Sequence, residues 1–457
     1  MTELHKKFIK DSEKKAFDIN HRNTIMFNIS KYEKAVINGK KQFKDLELAR
    51  DRAANIKHKV ISETENYLNE FEANFIKHGG KVIWAEDSNE AIKEILKILK
   101  KHNTKKVVKS KSMTTEEIEL NQSLEKNNIE SLETDLGEYI VQLNNQKPYH
   151  IVTPAMHLSK EDISKLFNKK FKTPNNSTPE EITAFVRQLL REKFTEADVG
   201  ITGANFLISD IGAVALTENE GNGVMSMAFP KVHIAIAGIE KLIPSLEDLN
   251  LFWPLLSTYG TGQNITVYNS IITGPKQEDE LDGPDEMYVV LLDNNRTNLL
   301  AKEKQRRALS CIRCGACLNN CPVYKNIGGH SYNTTYSGPI GAVITPYLKS
   351  MDDYKHLSFA SSLCGKCTDN CPVKIPLHQL LLYNRNDSIK ESKIKFSEKL
   401  MMFGWKKVML NRSLMDIVGG NLKNIAIKMF FRKAWGPRRE LPKIQPKSFK
   451  KLWNKRR

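Results

Sequence analysis

The chain has 457 residues, 40% of them hydrophobic and 27% charged, a soluble globular composition with too many residues for a single hydrophobic core. Its net charge of +17 is concentrated at one end: residues 385–457 hold 21 Lys and Arg against 5 Asp and Glu, a net of +16, which leaves +1 for the rest. The opening Met-Thr-Glu-Leu-His-Lys-Lys-Phe has no apolar core, which argues against a secretory leader, and no apolar run reaches the roughly 18 residues that cross a bilayer.

Residues 1–80 read as a helical arm. The period of Ile56, Val60, Ile61, Tyr67, Phe71 and Phe75 predicts one long amphipathic helix packed on the next domain. From Lys81 the pattern changes to alternating strand and helix. Lys81–Ala85 is a strand, Ser88 caps a helix to about Lys101, Lys106–Lys109 is a strand, and a helix runs from Thr114 to about Lys126. His150–Thr153 follows, then helices near 160–167 and 179–193, and strands at 199–206, 212–217, 232–239, 265–272 and 287–293. This order predicts an α/β domain over 81–295 with a largely parallel sheet and some antiparallel pairing where strands crowd late in the domain.

Three segments of this domain have the chemistry of a ligand site. Lys109-Ser-Lys-Ser-Met-Thr-Thr-Glu116 places lysines and hydroxyls where a strand becomes a helix, as an anion requires. Gly200-Ile-Thr-Gly-Ala-Asn-Phe206 and Thr217-Glu-Asn-Glu-Gly-Asn-Gly223 put small and polar residues at strand ends, where α/β sheets hold ligands. Lys109, Ser110, Thr202, Asn205 and Glu218 are the candidate small-molecule contacts, with turn chemistry and helix capping as the competing explanation. Neither Gly-rich nucleotide fingerprint is present. An acidic, Gly/Pro-punctuated loop occupies 274–286, and Asn298–Ser310 reads as a helix leading into Cys311.

All seven cysteines lie in two runs, Cys311-Ile-Arg-Cys314-Gly-Ala-Cys317-Leu-Asn-Asn-Cys321-Pro322 and Cys364-Gly-Lys-Cys367-Thr-Asp-Asn-Cys371-Pro372. Vicinal cysteines in such a chain read as metal ligands in a reducing cytoplasm. The spacing C-x2-C-x2-C-x3-C-P is that of a four-iron ferredoxin loop, in which the last cysteine serves the other cluster of a pair. The first cluster then takes Cys311, Cys314, Cys317 and Cys371, and the second takes Cys321, Cys364 and Cys367. Zinc would want two pairs of C-x2-C instead of a triple followed by C-P.

The second cluster is one ligand short, because Ser361 stands where the first cysteine of a full run would fall. A [3Fe–4S] cluster, a [4Fe–4S] cluster completed by Ser361 or solvent, and a ligand from a partner chain all remain open. His330, His356 and His378 lie nearby in sequence but read as ordinary surface or core histidines. Forty-two residues separate Cys321 from Cys364, which predicts a mostly helical two-cluster ferredoxin domain over 296–384.

These features together resemble one family. Lys109-Ser-Lys-Ser-Met113, Gly200-Ile-Thr-Gly-Ala-Asn205, Cys311–Cys317, Ser361-Ser-Leu-Cys-Gly-Lys-Cys367, Cys371-Pro-Val-Lys-Ile-Pro376 and Trp435-Gly-Pro-Arg438 are similar to segments of lactate-utilisation protein B, the iron–sulfur subunit of the bacterial three-component L-lactate oxidation system. The resemblance implies an electron carrier in oxidation of L-lactate to pyruvate, not catalytic alone, acting with two companion lactate-utilisation subunits. It also implies a lactate-utilisation-type α/β domain similar in fold to the sugar-phosphate isomerase and CoA-transferase group. The rival readings are an iron–sulfur subunit for another 2-hydroxy acid of the glycolate type, and an α/β enzyme acting on a phosphorylated or CoA-linked substrate. Many glycolate-type chains carry further cysteine-rich modules, whereas no cysteine follows Cys371 here.

Residues 385–457 form a basic, aromatic extension in which Leu400–Leu410 and Ile425–Trp435 read as short amphipathic helices. The ranking of surfaces for it is an acidic partner subunit first, the membrane surface second, and nucleic acid a distant third, since no recognition motif accompanies the charge; a solvated basic extension with no dedicated partner is the competing reading. An electron acceptor, with the membrane surface as one place for it, is the further expected partner. The expected location is the cytoplasm, with the inner face of the membrane as the peripheral alternative.

Overall fold

The computed structural model describes residues 2–391, 396–435 and 440–456, and divides them into two compact units, 1–390 and 391–457.

The first unit opens with four helices, Glu3–Ala16, Ile19–Gly39, Leu46–Ser62 and Thr64–Lys77. Thr2, Asp18 and Asp45 cap the first three by accepting the amide three residues on. The single helix expected over 56–75 is two, because the chain breaks at Glu63 and Thr64 Oγ1 donates back to the carbonyls of Val60 and Ile61. Val60, Phe71 and Phe75 still face one core.

Ten strands follow: β1 (Lys81–Ala85), β2 (Lys106–Lys109), β3 (Glu130–Glu133), β4 (Val199–Gly203), β5 (Phe206–Ile208), β6 (Ala213–Glu218), β7 (Val232–Gly238), β8 (Leu242–Ile243), β9 (Tyr268–Ile272) and β10 (Glu286–Leu292). Six form an all-parallel sheet in the order β1-β10-β7-β4-β2-β3. β4 and β7 are buried along their whole length, as strands covered on both faces must be. One face packs on Ala91, Ile95 and Leu99, the other on Phe71 and Phe75. The crowded strands form a second sheet, β8-β5-β6-β9, in which β6 runs antiparallel to both neighbours.

Several local expectations shift. Asp87, not Ser88, caps the helix Ser88–Lys101, its carboxylate accepting the amides of Asn89 and Glu90. The helix expected over 114–126 is broken at Glu119, which adopts a left-handed φ of 55°. His150–Thr153 is a turn, with His150 Nδ1 accepting the amides of Val152 and Thr153. The helix expected over 298–310 is a short helix Arg296–Leu300 followed by a 3-10 turn Gln305–Ser310. Leu249–Thr261 is a helix that gives no amphipathic signal because it is buried over most of its length.

The region 311–391 is helical and shares one core with the first two helices and with Leu249–Thr261. The second unit contains helices Phe396–Leu410, Arg412–Ile417 and Gly420–Ala426, a wide turn Ile427–Phe431 and short helices Arg432–Trp435 and Phe449–Trp453. Phe403, Trp405, Phe430, Phe431 and Trp453 are all exposed. Residues 436–438 of the Trp435-Gly-Pro-Arg438 segment lie outside the described residues. No described helix is long and apolar enough to cross a membrane.

Candidate functional site

The two cysteine runs fold alike. In the first, Arg313 and Gly315 take left-handed φ values of 62° and 77°, and in the second Leu363 and Gly365 take 53° and 82°. Each glycine caps a one-turn helix, Ala316–Asn319 and Lys366–Asp369, and these helices pack on one another. In each, an asparagine returns its side-chain amide to the first helical carbonyl: Asn320 to Ala316 at 2.9 Å and Asn370 to Lys366 at 3.0 Å. The amide of Arg313 donates to Cys311 Sγ at 3.4 Å, and that of Leu363 donates to Ser361 Oγ at 3.1 Å.

None of the seven cysteines is in a disulfide. Cys311, Cys314, Cys317 and Cys371 line one cavity, walled also by Arg313 and by apolar residues such as Ile312, Ile340 and Val373. Cys321 and Cys364 instead act electrostatically on Cys367, which in turn acts on Cys317 of the first set. Burial pushes the Cys371 thiol up to about 12 and that of Cys367 to about 11. The first set is mostly buried, whereas Cys364 of the second is exposed.

Two devices hold these loops. Arg50, on the helix Leu46–Ser62, donates to the carbonyl of Cys371 from Nη2 and Nε at 2.9 and 3.3 Å and to that of Asp369 at 2.7 Å. The second device is a closed ring of buried charges. Arg313 Nη2 donates to Glu240 Oε1 at 3.1 Å, Arg296 Nε donates to Glu240 Oε2 at 2.6 Å, and Arg296 reaches Glu117 through both Nη atoms at 2.9 and 2.8 Å. Tyr336 completes it, donating to Glu117 at 2.6 Å while its ring lies 4.5 Å from the Arg313 guanidinium. Burial alone would raise the Glu240 carboxyl, but Arg296 and Arg313 hold it at about 2.

Above this ring, at the ends of β2, β4 and β6, a cleft of about 400 Å³ opens. Its wall includes Ser110, Asn205 and Glu218 from the sheet, and Arg313 and Cys314 from the first cysteine loop. Glu218 accepts the amides of Gly223 and Val224 at 2.7 and 2.9 Å, and burial raises it. Burial and the neighbouring Asp135 push Glu220 up to about 7.

Residues 68–292 match the LUD domain model and residues 307–375 match the 4Fe-4S dicluster domain model. Lactate utilization protein B of Bacillus subtilis is 47% identical over 355 residues, covering 77% of this chain and 74% of that protein, and the Bacillus velezensis protein of the same name matches to the same extent. The chain belongs to the lactate utilization protein B family. It carries the LUD domain as an α/β parallel-sheet domain, followed by a helical ferredoxin-like region. A crystal structure of a DUF162 family protein from Deinococcus radiodurans aligns with a TM-score of 0.30 and 13% identity over 50% of this chain and 98% of that one.

Membership in this family carries a role in lactate utilisation with iron–sulfur clusters as cofactor. The donor set fits such clusters: seven cysteines without disulfides on two like loops, four of them around one largely apolar cavity. Of the five candidate ligand contacts, Ser110, Asn205 and Glu218 meet at the cleft. Lys109 and Thr202 sit beneath it, fully buried. Lys109 Nζ pairs with Glu133 at 2.8 Å and donates to Thr115 at 2.9 Å, and Thr202 Oγ1 bonds His233 at 2.8 Å. The three histidines near the cysteines have partners of their own: His330 the Lys147 carbonyl, His356 the ring of His5, and His378 the Thr368 hydroxyl of the second cysteine run. The residues missed in sequence are Arg50, Lys241, Glu240 and Arg296, which lie outside the cysteine runs and carry no spacing signal.

Proposed function

We propose that this chain relays electrons within a multi-subunit system that oxidises L-lactate to pyruvate. Cys311, Cys314, Cys317 and Cys371 would hold one [4Fe–4S] cluster, and Cys321, Cys364 and Cys367 the other. The observation that carries this reading is the gradation from a buried set to a set with an exposed cysteine, joined where Cys317 neighbours Cys367. Bound clusters supply one-electron redox couples whose potentials answer to nearby charge, hydrogen bonds and solvent.

The chain's own residues prepare each place. Ile312, Ile340 and Val373 keep water from the first set, and the Arg313 amide donates to Cys311 Sγ. Arg50 fixes the carbonyl of Cys371, so the distant fourth thiol is delivered by the N-terminal arm. Cys364, at the surface, marks the side from which an acceptor would be reached.

The working division is a helical arm at 1–80, the α/β domain at 81–295, the iron–sulfur domain at 296–384 and the basic extension at 385–457. Two companion subunits are the expected partners in a cytoplasmic assembly. The extension, basic with exposed aromatics, suits docking on one of them first and on the membrane surface second. Anaerobic purification with iron and sulfide counts tests the reading: about eight irons support it, and stoichiometric zinc without iron refutes it.

A second reading concerns the α/β domain. Convergence of Ser110, Asn205 and Glu218 on one cleft supports a small-molecule site there.

A further inference from the structure

The cleft has two cationic side chains on the wall it shares with the first cysteine loop. Arg313 is 8% exposed; its Nη2 is committed to Glu240, but its Nη1 is buried without an acceptor. Lys241, on the turn between β7 and β8, also lines the cleft, and among the described residues its ammonium has neither an ion-pair nor a hydrogen-bond partner. The ring beneath is balanced, with Glu117 and Glu240 against Arg296 and Arg313, so the charge of Lys241 is surplus.

The acids of the cleft do not answer it. Glu218 and Glu220 are held by backbone amides, of Gly223, Val224 and Leu136, and interact with Asp135. Glu218 thereby also occupies the amides that a phosphate would otherwise use at this sheet edge. What is left unpaired is a buried guanidinium nitrogen and an ammonium, flanked by apolar Val152 and Leu256 and by the hydrogen-bonding groups of Asn205 and Ser257. A carboxylate meets two such donors with two oxygens, and the remaining lining suits a short carbon chain bearing a hydroxyl or carbonyl.

We infer that this wall binds the carboxylate of a small hydroxy or oxo acid, set against Arg313 and Lys241 and beside Cys314. The inference rests on the reading that places the first cluster at Cys314, and it makes the α/β domain the element that presents such an acid to that cluster. The volume admits acids longer than three carbons, so a series is needed.

The test is calorimetric titration of the full, anaerobically purified chain with L-lactate, pyruvate, longer 2-hydroxy acids, the neutral amide lactamide and inorganic phosphate. The acids are expected to bind, with lactamide and phosphate at least tenfold weaker. Lys241→Met should weaken acid binding at least tenfold with the iron count unchanged, and Lys241→Arg should restore it. Absence of acid binding to iron-replete protein, or preference for phosphate, would overturn the inference. So would a Lys241→Met protein whose first-cluster EPR signal changes while acid binding does not, since Lys241 would then be counter-charge to the cluster. Should Lys241→Met fail to fold, lactate against lactamide on the unmodified chain still decides. A chain that holds no iron refutes the relay reading, while the acid titration continues to judge this site.

A separate observation, the likeness of the two loops, bears on the ligand that the second cluster lacks. Ser361 occupies the place of Cys311 in a backbone that repeats the same left-handed residues, the same one-turn helix and the same amide-to-side-chain hydrogen bond. Arg385 fixes the approach, donating to the carbonyls of Ser358 and Ser361 at 2.9 and 3.3 Å. The geometry points to Ser361 Oγ as the fourth ligand of the second cluster, its hydroxyl proton passing to solvent as the oxygen–iron bond forms. The unmodified chain should hold eight irons. Ser361→Ala should hold seven and show the EPR signal of an oxidised three-iron cluster, and Ser361→Cys should return to eight with shifted second-cluster g-values. Seven irons in the unmodified chain, or an alanine variant with unchanged iron and EPR, would overturn the assignment.

Discussion

Arg313 of the first cysteine loop donates to Glu240 of the α/β domain at 3.1 Å, and Glu240 in turn holds Arg296 at 2.6 Å. The loop's geometry and the charge balance at the sheet edge are therefore one construction. Breaking it at either end leaves a buried charge without its partner, which is the costly way to lose a buried ion pair.

Glu240→Gln is expected to destabilise the chain by about 3 kcal/mol near neutral pH. The sign follows from a carboxyl held at about 2 when folded, below its ordinary value of 4.5. Its contribution is complete above pH 4.5 and is lost as pH falls towards 2. Urea unfolding followed by circular dichroism should show a shallower loss of stability across that window in the variant than in the unmodified chain.

Gly315 and Gly365 share a left-handed backbone but not their surroundings. A Cβ at Gly315 would stand 3.1 Å from both His150 and Val152, whereas one at Gly365 would meet nothing within 4 Å. Gly315→Ala should therefore lose about four irons. Gly365→Ala should keep its full iron count and lose only about 1–2 kcal/mol to backbone strain, read as a melting shift of a few degrees.

Arg50→Ala removes the donors on the carbonyls of Cys371 and Asp369. The expected outcome is faster iron release to a chelator from the first cluster, with the second-cluster EPR signal retained. Equal loss from both clusters would place the role of Arg50 in the fold at large.

Deleting residues 396–457 should abolish co-purification of the companion subunits, in keeping with a surface that is basic and rich in exposed aromatics. Retained co-purification, with loss of salt-sensitive sedimentation on anionic vesicles, would move the extension to the membrane surface.

What was legible in the sequence is what spacing encodes. The triple of cysteines before Cys321-Pro322, the echo ending at Cys371-Pro372 and the alternation of apolar strands with helices are all local patterns, and the family match and parallel sheet agree with them. Ser110, Asn205 and Glu218 could be singled out because strand ends in α/β folds gather at one edge. Lys109 looked like their companion, yet it lies one residue further down its strand and is spent on Glu133. The helix Leu249–Thr261 leaves no mark in the sequence because burial on most sides erases the periodicity by which helices are read. Arg50 and Arg296 leave no local mark for another reason: the Cys371 carbonyl and the Glu240 carboxylate that they hold are 321 and 56 residues away.

The crossed ligation of the two loops is most directly tested by EPR of the reduced protein carrying Cys371→Ser or Cys321→Ser, with iron counted in each. Cys371→Ser should remove the first-cluster signal and spare the second, and Cys321→Ser should do the reverse. Loss of the same signal in both variants would contradict the assignment of Cys371 to the first loop and Cys321 to the second.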